Sequence, residues 1–150
     1  MKTSNAITIV GKNEENFLLV AGSKYRILIS DEETNGSYAV IEMLVPPGSG
    51  PIPHAHKDVQ ETFYVAEGEM EFRTEGGKSY AKKGAFINIP LGGAIHAFKN
   101  TSDTEVTLIC TVIPAGFDSM FKEISIAGPE EVEAIGEKYG NQFYPPDYFD

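Results

Sequence analysis

The sequence is short of cysteine and of basic residues. Its one cysteine, Cys110, excludes both an internal disulfide and a zinc site built from several thiolates. The sequence contains 12 Lys and Arg but 22 Asp and Glu, so the formal net charge is -10. A surface of that sign repels phosphate backbones and anionic lipids alike. We therefore expect no nucleic-acid partner and no membrane partner.

Long hydrophobic runs are missing as well. No stretch approaches the ~18 apolar residues of a membrane span, and the first residues lack the apolar run of a signal peptide. We therefore expect a cytoplasmic protein. With 150 residues, of which 41% are hydrophobic and 23% charged, the chain has the size and composition of one globular domain, residues 1–150.

What the chain does have is many short runs rich in Val, Ile, Tyr, Phe and Thr, separated by Gly and Pro. This pattern predicts an all-β sandwich or barrel. The predicted strands are 17–21, 24–30, 37–45, 61–66, 69–73, 86–89, 95–100 and 105–113. Segment 105–113 is apolar on both faces, so we expect both to be covered. A second copy of the chain or the folded-back C-terminal segment would supply the cover.

The C-terminal segment, 116–150, has a different pattern. Apolar residues recur at three- and four-residue steps from Phe117 to Ile124, which predicts one or two helical turns. Gly128 and Pro129 then indicate the start of a second helix that ends by Gly140. The aromatic and proline-rich tail, 143–149, is suited to packing across a surface. A lid over the mouth of a barrel is the alternative.

The three histidines of the sequence carry the strongest functional signal. His54 and His56 are two residues apart, so on an extended strand both rings point to the same face and can chelate one ion. Glu61 would point away on an unbroken strand, and we expect a bend at Lys57–Asp58 to turn it inward. His96 follows a strong turn signal, 90–93, and opens a strand that returns toward the pair.

Three imidazoles and one carboxylate form a nitrogen and oxygen ligand set. Such a set suits one divalent transition ion, Fe, Mn, Ni, Cu, Co or Zn, and leaves positions open for water or substrate. The spacing does not distinguish among these metals.

These residues also carry a family resemblance. The sequence resembles the cupin superfamily, whose motifs are G-x5-H-x-H-x4-E-x6-G and G-x5-P-x-G-x2-H-x3-N. The first motif matches completely over 48–68. The second matches over 84–100 with one extra residue, Gly93, before His96. Segments 96–100 and 114–121 are similar to the small quercetin-dioxygenase-like cupins.

The resemblance implies a double-stranded β-helix, the jelly-roll cupin barrel, with short C-terminal helices and commonly a homodimer. It implies that His54, His56, Glu61 and His96 are the metal ligands inside the barrel. Glu61 would also have a catalytic role: when its carboxylate leaves the ion, it would act as the base that deprotonates the substrate.

Parity with the ligands on neighbouring strands predicts four residues that contact a small-molecule substrate. They are Met43, Phe63, Val65 and Phe98. This lining is apolar and aromatic, and the two arginines, Arg26 and Arg73, lie far from the motifs. An anionic substrate would lack a clamp, so we expect a neutral or phenolic one.

Three functions fit this site. The first hypothesis is a metal-dependent dioxygenase of the quercetinase type, acting on an aromatic or enolisable compound. A non-catalytic cupin that binds a small ligand and a redox-neutral isomerase or lyase are the alternatives.

Two further residues have simpler interpretations. Cys110 is expected to be an inert core residue, and Asn100 to be either a pocket group or a structural hydrogen-bond partner.

Overall fold

A computed structural model of the protein describes residues 5–12 and 16–150. The predicted domain, 1–150, therefore includes residues 1–4 and 13–15, which lie outside the described part. The strands are β1 Leu18–Val20, β2 Ser23–Ile29, β3 Ala39–Val45, β4 His54–Ala55, β5 Gln60–Glu67, β6 Glu69–Thr74, β7 Gly77–Lys82, β8 Phe86–Ile89, β9 His96–Lys99, β10 Val106–Ile113 and β11 Gln142–Phe143. The helices are α1 Asp31–Thr34, α2 Phe117–Ser125 and α3 Val132–Lys138, with a 3-10 turn at Pro129–Glu131.

The strands form two antiparallel sheets that face each other. The first has six strands in the order β1-β2-β3-β10-β5-β8, and the second has five in the order β11-β4-β9-β6-β7. Neighbours in the sheets are often distant in sequence, as expected of a jelly roll. The predicted all-β jelly-roll barrel with short C-terminal helices is confirmed.

Strict alternation on the long strands places the core between the sheets. On β10 the side chains of Val106, Leu108, Cys110 and Val112 are fully buried, and on β3 every second residue from Ala39 to Val45 is buried as well. Alternate residues of a strand face opposite sides, so one face of each strand fills the barrel. The other face of β10, which includes Ile109, is half-buried, so the chain covers it only in part.

The structure adds three strands that the sequence pattern did not predict. Strands β4 and β11 have two residues each, too few for a periodic signal. Strand β7 reads Gly-Lys-Ser-Tyr-Ala-Lys and is largely exposed, so it carries no apolar pattern. It forms because the backbone of β6 offers it a full antiparallel register from Glu69 to Thr74.

Glycine permits the sharp junctions between these strands. Gly68 has φ +86 between β5 and β6, and a Cβ there would lie 2.9 Å from Val106 Cγ2. Gly50 approaches the β9 backbone so closely that a Cβ would lie 1.9 Å from the carbonyl oxygen of Phe98. These positions therefore require glycine for conformation and for space.

The C-terminal segment closes one end of the barrel. Helix α2 packs against β1 and β3, and β11 pairs with β4, so that Phe143 lies opposite His54. Gly136 of α3 makes room for the Phe143 ring, since a Cβ there would lie 2.4 Å from Phe143 Cζ. The two predicted helices are confirmed, and the tail forms part of the barrel mouth.

Within the described residues, the structure contains no helix long and apolar enough to cross a membrane. The predicted cytoplasmic location stays a prediction.

Candidate metal centre

Short strands of the second sheet bring the three histidines together. His54 on β4 is paired with His96 on β9, and their ring centroids are 4.4 Å apart. His56 follows His54 by two residues, and its ring centroid is 4.9 Å from that of His96. Two distant segments thus place three imidazoles at one point.

Two turns that contact each other hold these segments in place. A turn at Lys57–Asp58, as predicted, separates His56 from β5. The Gly92 N–H of the second turn donates to the Lys57 carbonyl at 2.9 Å. Gly93, the extra residue of the second motif, has φ +88, and a Cβ there would lie 3.3 Å from Lys57 Cβ. The extra residue is therefore accommodated by left-handed backbone that packs directly on the neighbouring turn.

Glu61 reaches the imidazoles from the opposite sheet. It lies on β5 between Val112 and Ile89, its side chain faces the barrel interior, and it is 4% exposed. Its Oε1 atom is 3.1 Å from His56 Nε2 and 3.5 Å from His96 Nε2. The cluster therefore joins the two sheets of the barrel.

Backbone carbonyls determine which nitrogen of each ring faces the centre. The Nδ1 atoms of His54, His56 and His96 lie 2.8, 2.9 and 2.8 Å from the carbonyl oxygens of residues 52, 59 and 94. A carbonyl only accepts, so each Nδ1 carries the hydrogen. In the neutral rings each Nε2 then offers a lone pair, which is the tautomer that metal-binding histidines adopt.

The four side chains meet the requirements of a metal site. Their ligand atoms all lie within 4.8 Å of one another. Among buried side-chain nitrogen and oxygen atoms in the described ranges, His96 Nε2 alone has no hydrogen-bond partner, since its approach to Glu61 lacks the required geometry. A buried lone pair beside a carboxylate is costly unless an electron-pair acceptor lies between them. The group could hold a divalent ion.

The electrostatics of the cluster also favour a cation. Burial, supported by the charge of His96, lowers the pKa of His54 to about 4, so this ring is neutral at physiological pH. Burial opposes a proton on His56, but the hydrogen bond and the charge of Glu61 outweigh it and raise the His56 pKa. Burial likewise opposes the charge of Glu61, but its hydrogen bond to His56 and the charges of His56 and His96 hold its pKa well below the usual range. Glu61 is therefore a buried carboxylate.

Cys110 contacts the other oxygen of this carboxylate. Its Sγ atom lies 3.1 Å from Glu61 Oε2, and its side chain is fully buried. Burial, and then the Glu61 charge, raises the pKa of the Cys110 thiol, which stays protonated. Cys110 is part of the core, as predicted, but its bond to a candidate ligand was not predicted.

Asn100 has a structural role. Its Nδ2 donates to the carbonyl oxygens of Val45 and Thr104, at 2.9 and 2.8 Å, and its own carbonyl accepts from Gly48 at 2.7 Å. It ties together the loops at the ends of β3 and β9. Of the two predicted roles of Asn100, pocket group and structural hydrogen-bond partner, the structure shows the second.

A cavity of about 430 Å³ opens beside His54, between the barrel mouth and the C-terminal helices. Its lining is largely apolar and includes three aromatic side chains, and within the described chain Glu133 is its only formally charged member. The lining residues are Val20, Ala21, Tyr25, Gly50, Pro51, Ile52, His54, Met120, Phe121, Ile124, Pro129, Val132, Glu133, Asn141 and Phe143.

The four residues predicted to contact substrate lie deeper in the barrel. Met43, Phe63, Val65 and Phe98 are each at most 3% exposed, and the Phe63 and Phe98 ring centroids are 5.5 Å apart within the core. They are not among the residues that line the cavity at His54. Alternation along a strand predicts which side chains face the barrel interior. It does not predict how far each of them lies from the cavity at His54. Their role in substrate binding stays a prediction.

Sequence reasoning missed the aromatic residues that surround the site. Phe117 packs edge-on against the His56 ring at 5.1 Å, and Tyr25 packs edge-on against Phe121 at 4.9 Å. The Phe143 ring lies 6.4 Å from that of His54. The helical spacing of Phe117 and Phe121 did indicate a buried face. Which surface that face covers depends on the fold of the whole chain.

Comparison with known proteins gives a family match and several relatives. The family described as the cupin domain matches residues 41–112. Quercetin 2,3-dioxygenase of Bacillus subtilis (strain 168) is 24% identical over 138 residues, which cover 91% of this chain and 37% of that enzyme. The chain thus spans little more than a third of this relative's length.

Solved structures share the fold. A predicted oxalate decarboxylase from Thermotoga maritima is 23% identical with a TM-score of 0.66, covering 71% of this chain and 99% of that one. A polyketide cyclase from Streptomyces resistomycificus is 22% identical with a TM-score of 0.64, covering 72% and 80%. At these identities the likeness shows the fold alone.

The matched residues, 41–112, contain all four members of the histidine and glutamate cluster. The cluster contains residues of both sheets, and the matched residues likewise include strands of both sheets. The sequence match over residues 41–112, the barrel and the fold of the solved structures agree, and together they support a small protein of the cupin superfamily.

Proposed function

We propose that the protein is a metal-dependent dioxygenase of the quercetinase type that acts on an aromatic or enolisable compound. One divalent transition ion would be held by His54, His56, Glu61 and His96. The observation that carries the proposal is the opening of this cluster, at His54, into an aromatic-lined cavity. The likeness to a quercetin dioxygenase over most of this chain supports the same reaction class.

The cavity favours a neutral or phenolic substrate. Its volume falls within the range of about 300–1,000 Å³ that is typical of small-molecule sites. The rings of Tyr25, Phe121 and Phe143 offer flat apolar surfaces on which an aromatic compound can pack. Among the residues that the structure describes, the lining contains no lysine or arginine, and Glu133 would repel an anion.

Each side chain has a definite task in this proposal. When bound, the ion would polarise a substrate oxygen and, if redox-active, support reaction with dioxygen. Glu61 directs Oε1 to the imidazole side, where it balances the charge of a cation or accepts the hydroxyl proton of the substrate. Burial, above all, raises the pKa of Tyr25, so its phenol stays protonated and serves as a donor toward the cavity.

The test combines metal analysis with oxygen uptake. The purified protein is analysed for bound metal, then loaded singly with each of the six candidate ions and mixed with a panel of flavonols and catechols. We expect oxygen uptake with at least one ion and its loss in His54→Ala. Lys78→Ala on the exposed strand β7 is the matched control. No uptake above background with any ion would refute the proposal.

Redox-neutral chemistry is the second candidate, because proteins with the same fold include one named a polyketide cyclase. The cluster would then act on an enolisable substrate through Glu61 as the base and an ion that need not change oxidation state. Turnover under nitrogen with the zinc form would select this candidate. Tight binding of flavonols without turnover in any metal form would instead select a ligand-binding protein.

We also propose that the chain forms a homodimer through the outer face of the six-stranded sheet. Tyr64 and Phe86 are cross-strand neighbours there, 46% and 66% exposed. Segment 5–12, which we call the N-terminal arm, has no helix or strand, and its Ile7 and Ile9 are each 91% exposed. A two-fold pair would place the apolar arm of one copy on the exposed Tyr64 and Phe86 rings of the other. Sedimentation should show a dimer that Phe86→Lys weakens. A monomer at all concentrations would contradict it.

A further inference from the structure

The two carboxylate oxygens of Glu61 face different partners. Oε1 lies 3.1 Å from His56 Nε2 and 3.5 Å from His96 Nε2, whereas Oε2 lies 3.1 Å from Cys110 Sγ. A carboxylate only accepts hydrogen bonds, so the hydrogen of the sulfur contact belongs to the thiol. One oxygen faces the imidazoles and the other is held by a donor.

We propose that Cys110 is a positioning residue of the metal centre. Its thiol hydrogen bond holds Oε2 of Glu61 on the side of β10 and leaves Oε1 as the one oxygen presented to the ion. This inference rests on the proposed metal site. Without the bond, the carboxylate would be free to turn and to offer both oxygens or neither.

The surroundings of Glu61 explain why one thiol has this effect. Its cross-strand neighbours, Val112 and Ile89, are apolar and offer it no donor. Cys110 lies two residues before Val112 on β10, on the same inner face, which makes it the diagonal neighbour of Glu61. Among the described residues, its thiol supplies the hydrogen bond to Oε2. Groups that orient metal ligands typically change metal affinity by about 10–100-fold when they are removed.

The hydrogen bond itself can be observed without any metal. Cys110 is the sole cysteine of the sequence, so the S–H stretching band in a Raman spectrum belongs to it alone. We expect this band at lower frequency in the unaltered apoprotein than in Glu61→Ala, with Glu61→Gln between them. An identical band in the unaltered protein and in Glu61→Ala would refute the contact.

The effect on the metal site is tested by titration with Co²⁺, whose visible absorption reports the number and kind of ligands. Cys110→Ala should bind Co²⁺ about tenfold or more weakly, with a changed spectrum, because Glu61 is no longer oriented. Cys110→Ser differs from Cys110→Ala by one hydroxyl donor and should restore both affinity and spectrum. Val106→Ala, on the same buried face of β10 but packed near Gly68, is the control for lost volume.

The outcomes separate this inference from the proposed function. Tight Co²⁺ binding that is unchanged in Cys110→Ala would refute the positioning role and leave the metal site standing. Failure of the unaltered protein to bind Co²⁺ would refute the metal site and the inference together. Should Cys110→Ala fail to fold, Cys110→Val takes its place, since valine fills the space without a donor. Equal loss of affinity in Cys110→Ser and Val106→Ala would indicate packing alone and refute the inference.

Discussion

The ligand side and the cavity side of this site are built in opposite ways. On the ligand side, four polar groups converge from β4, β5 and β9 and the turn between the first two, and all of them lie within 54–96. On the cavity side, largely apolar residues come from the β1–β2 region, from 50–52 and from the segment after residue 119. The ligand side thus consists of reactive groups from one stretch of the sequence. The cavity side consists of an apolar surface that is assembled from distant parts of the chain.

The difference reflects what each side must do. Metal ligands tolerate little displacement, so they lie on paired strands and on turns that hydrogen-bond to each other, as Gly92 does to Lys57. A substrate wall needs volume and apolar surface, which the packed helices α2 and α3 supply. We therefore expect changes on one side to leave the other intact, and the following variants test that separation.

The largest effect is expected from His96→Ala. This variant removes one of three imidazoles together with the buried lone pair that lacks a protein partner. Divalent-metal affinity should fall by more than about 100-fold, because a lost ligand affects the site more than a lost outer partner. Isothermal titration with Co²⁺ or Ni²⁺ measures it, with thermal unfolding to verify the fold. Unchanged affinity would place the ion elsewhere.

The ligand side was largely accessible to sequence reasoning. A His-x-His pair, an acid beyond a turn and a histidine after Pro90 are short-range patterns. The spacing of the pair indicates a common face, and the expected bend and turn bring the acid and the third histidine toward it. The structure brings all four together. The barrel followed from the strand pattern in the same way, except for β4, β7 and β11, whose pairing depends on partners and not on their own residues.

The cavity side was not accessible in this way. The helical spacing of Phe117 and Phe121 and the aromatic tail indicated packing, but the surface against which they pack is determined by contacts across the whole chain. The contact between Cys110 and Glu61 is equally non-local, since it depends on the register of β10 against β5. A buried cysteine in an apolar strand looks the same in sequence whether or not a carboxylate lies beside it.

Phe143→Ala should weaken substrate binding and leave metal binding unchanged. The Phe143 ring lies beside His54 and forms part of the cavity wall, but it offers no ligand atom. Loss of an aromatic packing surface should weaken flavonol binding by about tenfold. Fluorescence titration with a flavonol measures this, and Co²⁺ affinity should stay within about twofold of the unaltered protein. A parallel loss of metal affinity would show that the two sides are coupled.

Gly136→Ala should give a smaller change at the same wall. The added Cβ would lie 2.4 Å from Phe143 Cζ, so the ring must shift. Overpacking of this kind costs about 1–3 kcal/mol of folding stability, set against a small gain in helix propensity. We expect a lower Tm and a few-fold loss of flavonol affinity, while the ligand cluster is unaffected. If Phe143→Ala in the same chain fails to relieve the loss of Tm, the ring is not the obstacle.

The smallest effect is expected from reversing the formal charge of Glu133, the one charged residue of the cavity lining within the described part of the chain. Glu133 lies on α3 at the exposed rim, where water and salt screen its field, so Glu133→Lys should change affinity by only about two- to fivefold. Because the sign reverses, an anionic ligand such as a catechol carboxylate should bind more tightly at low salt, while a neutral catechol should bind as before. Glu137→Lys is the matched control, since Glu137 lies on the same helix but does not line the cavity. Equal gains in the two variants would assign the effect to net charge, whereas a gain confined to Glu133→Lys would show that the charge of Glu133 in the cavity wall selects against anions.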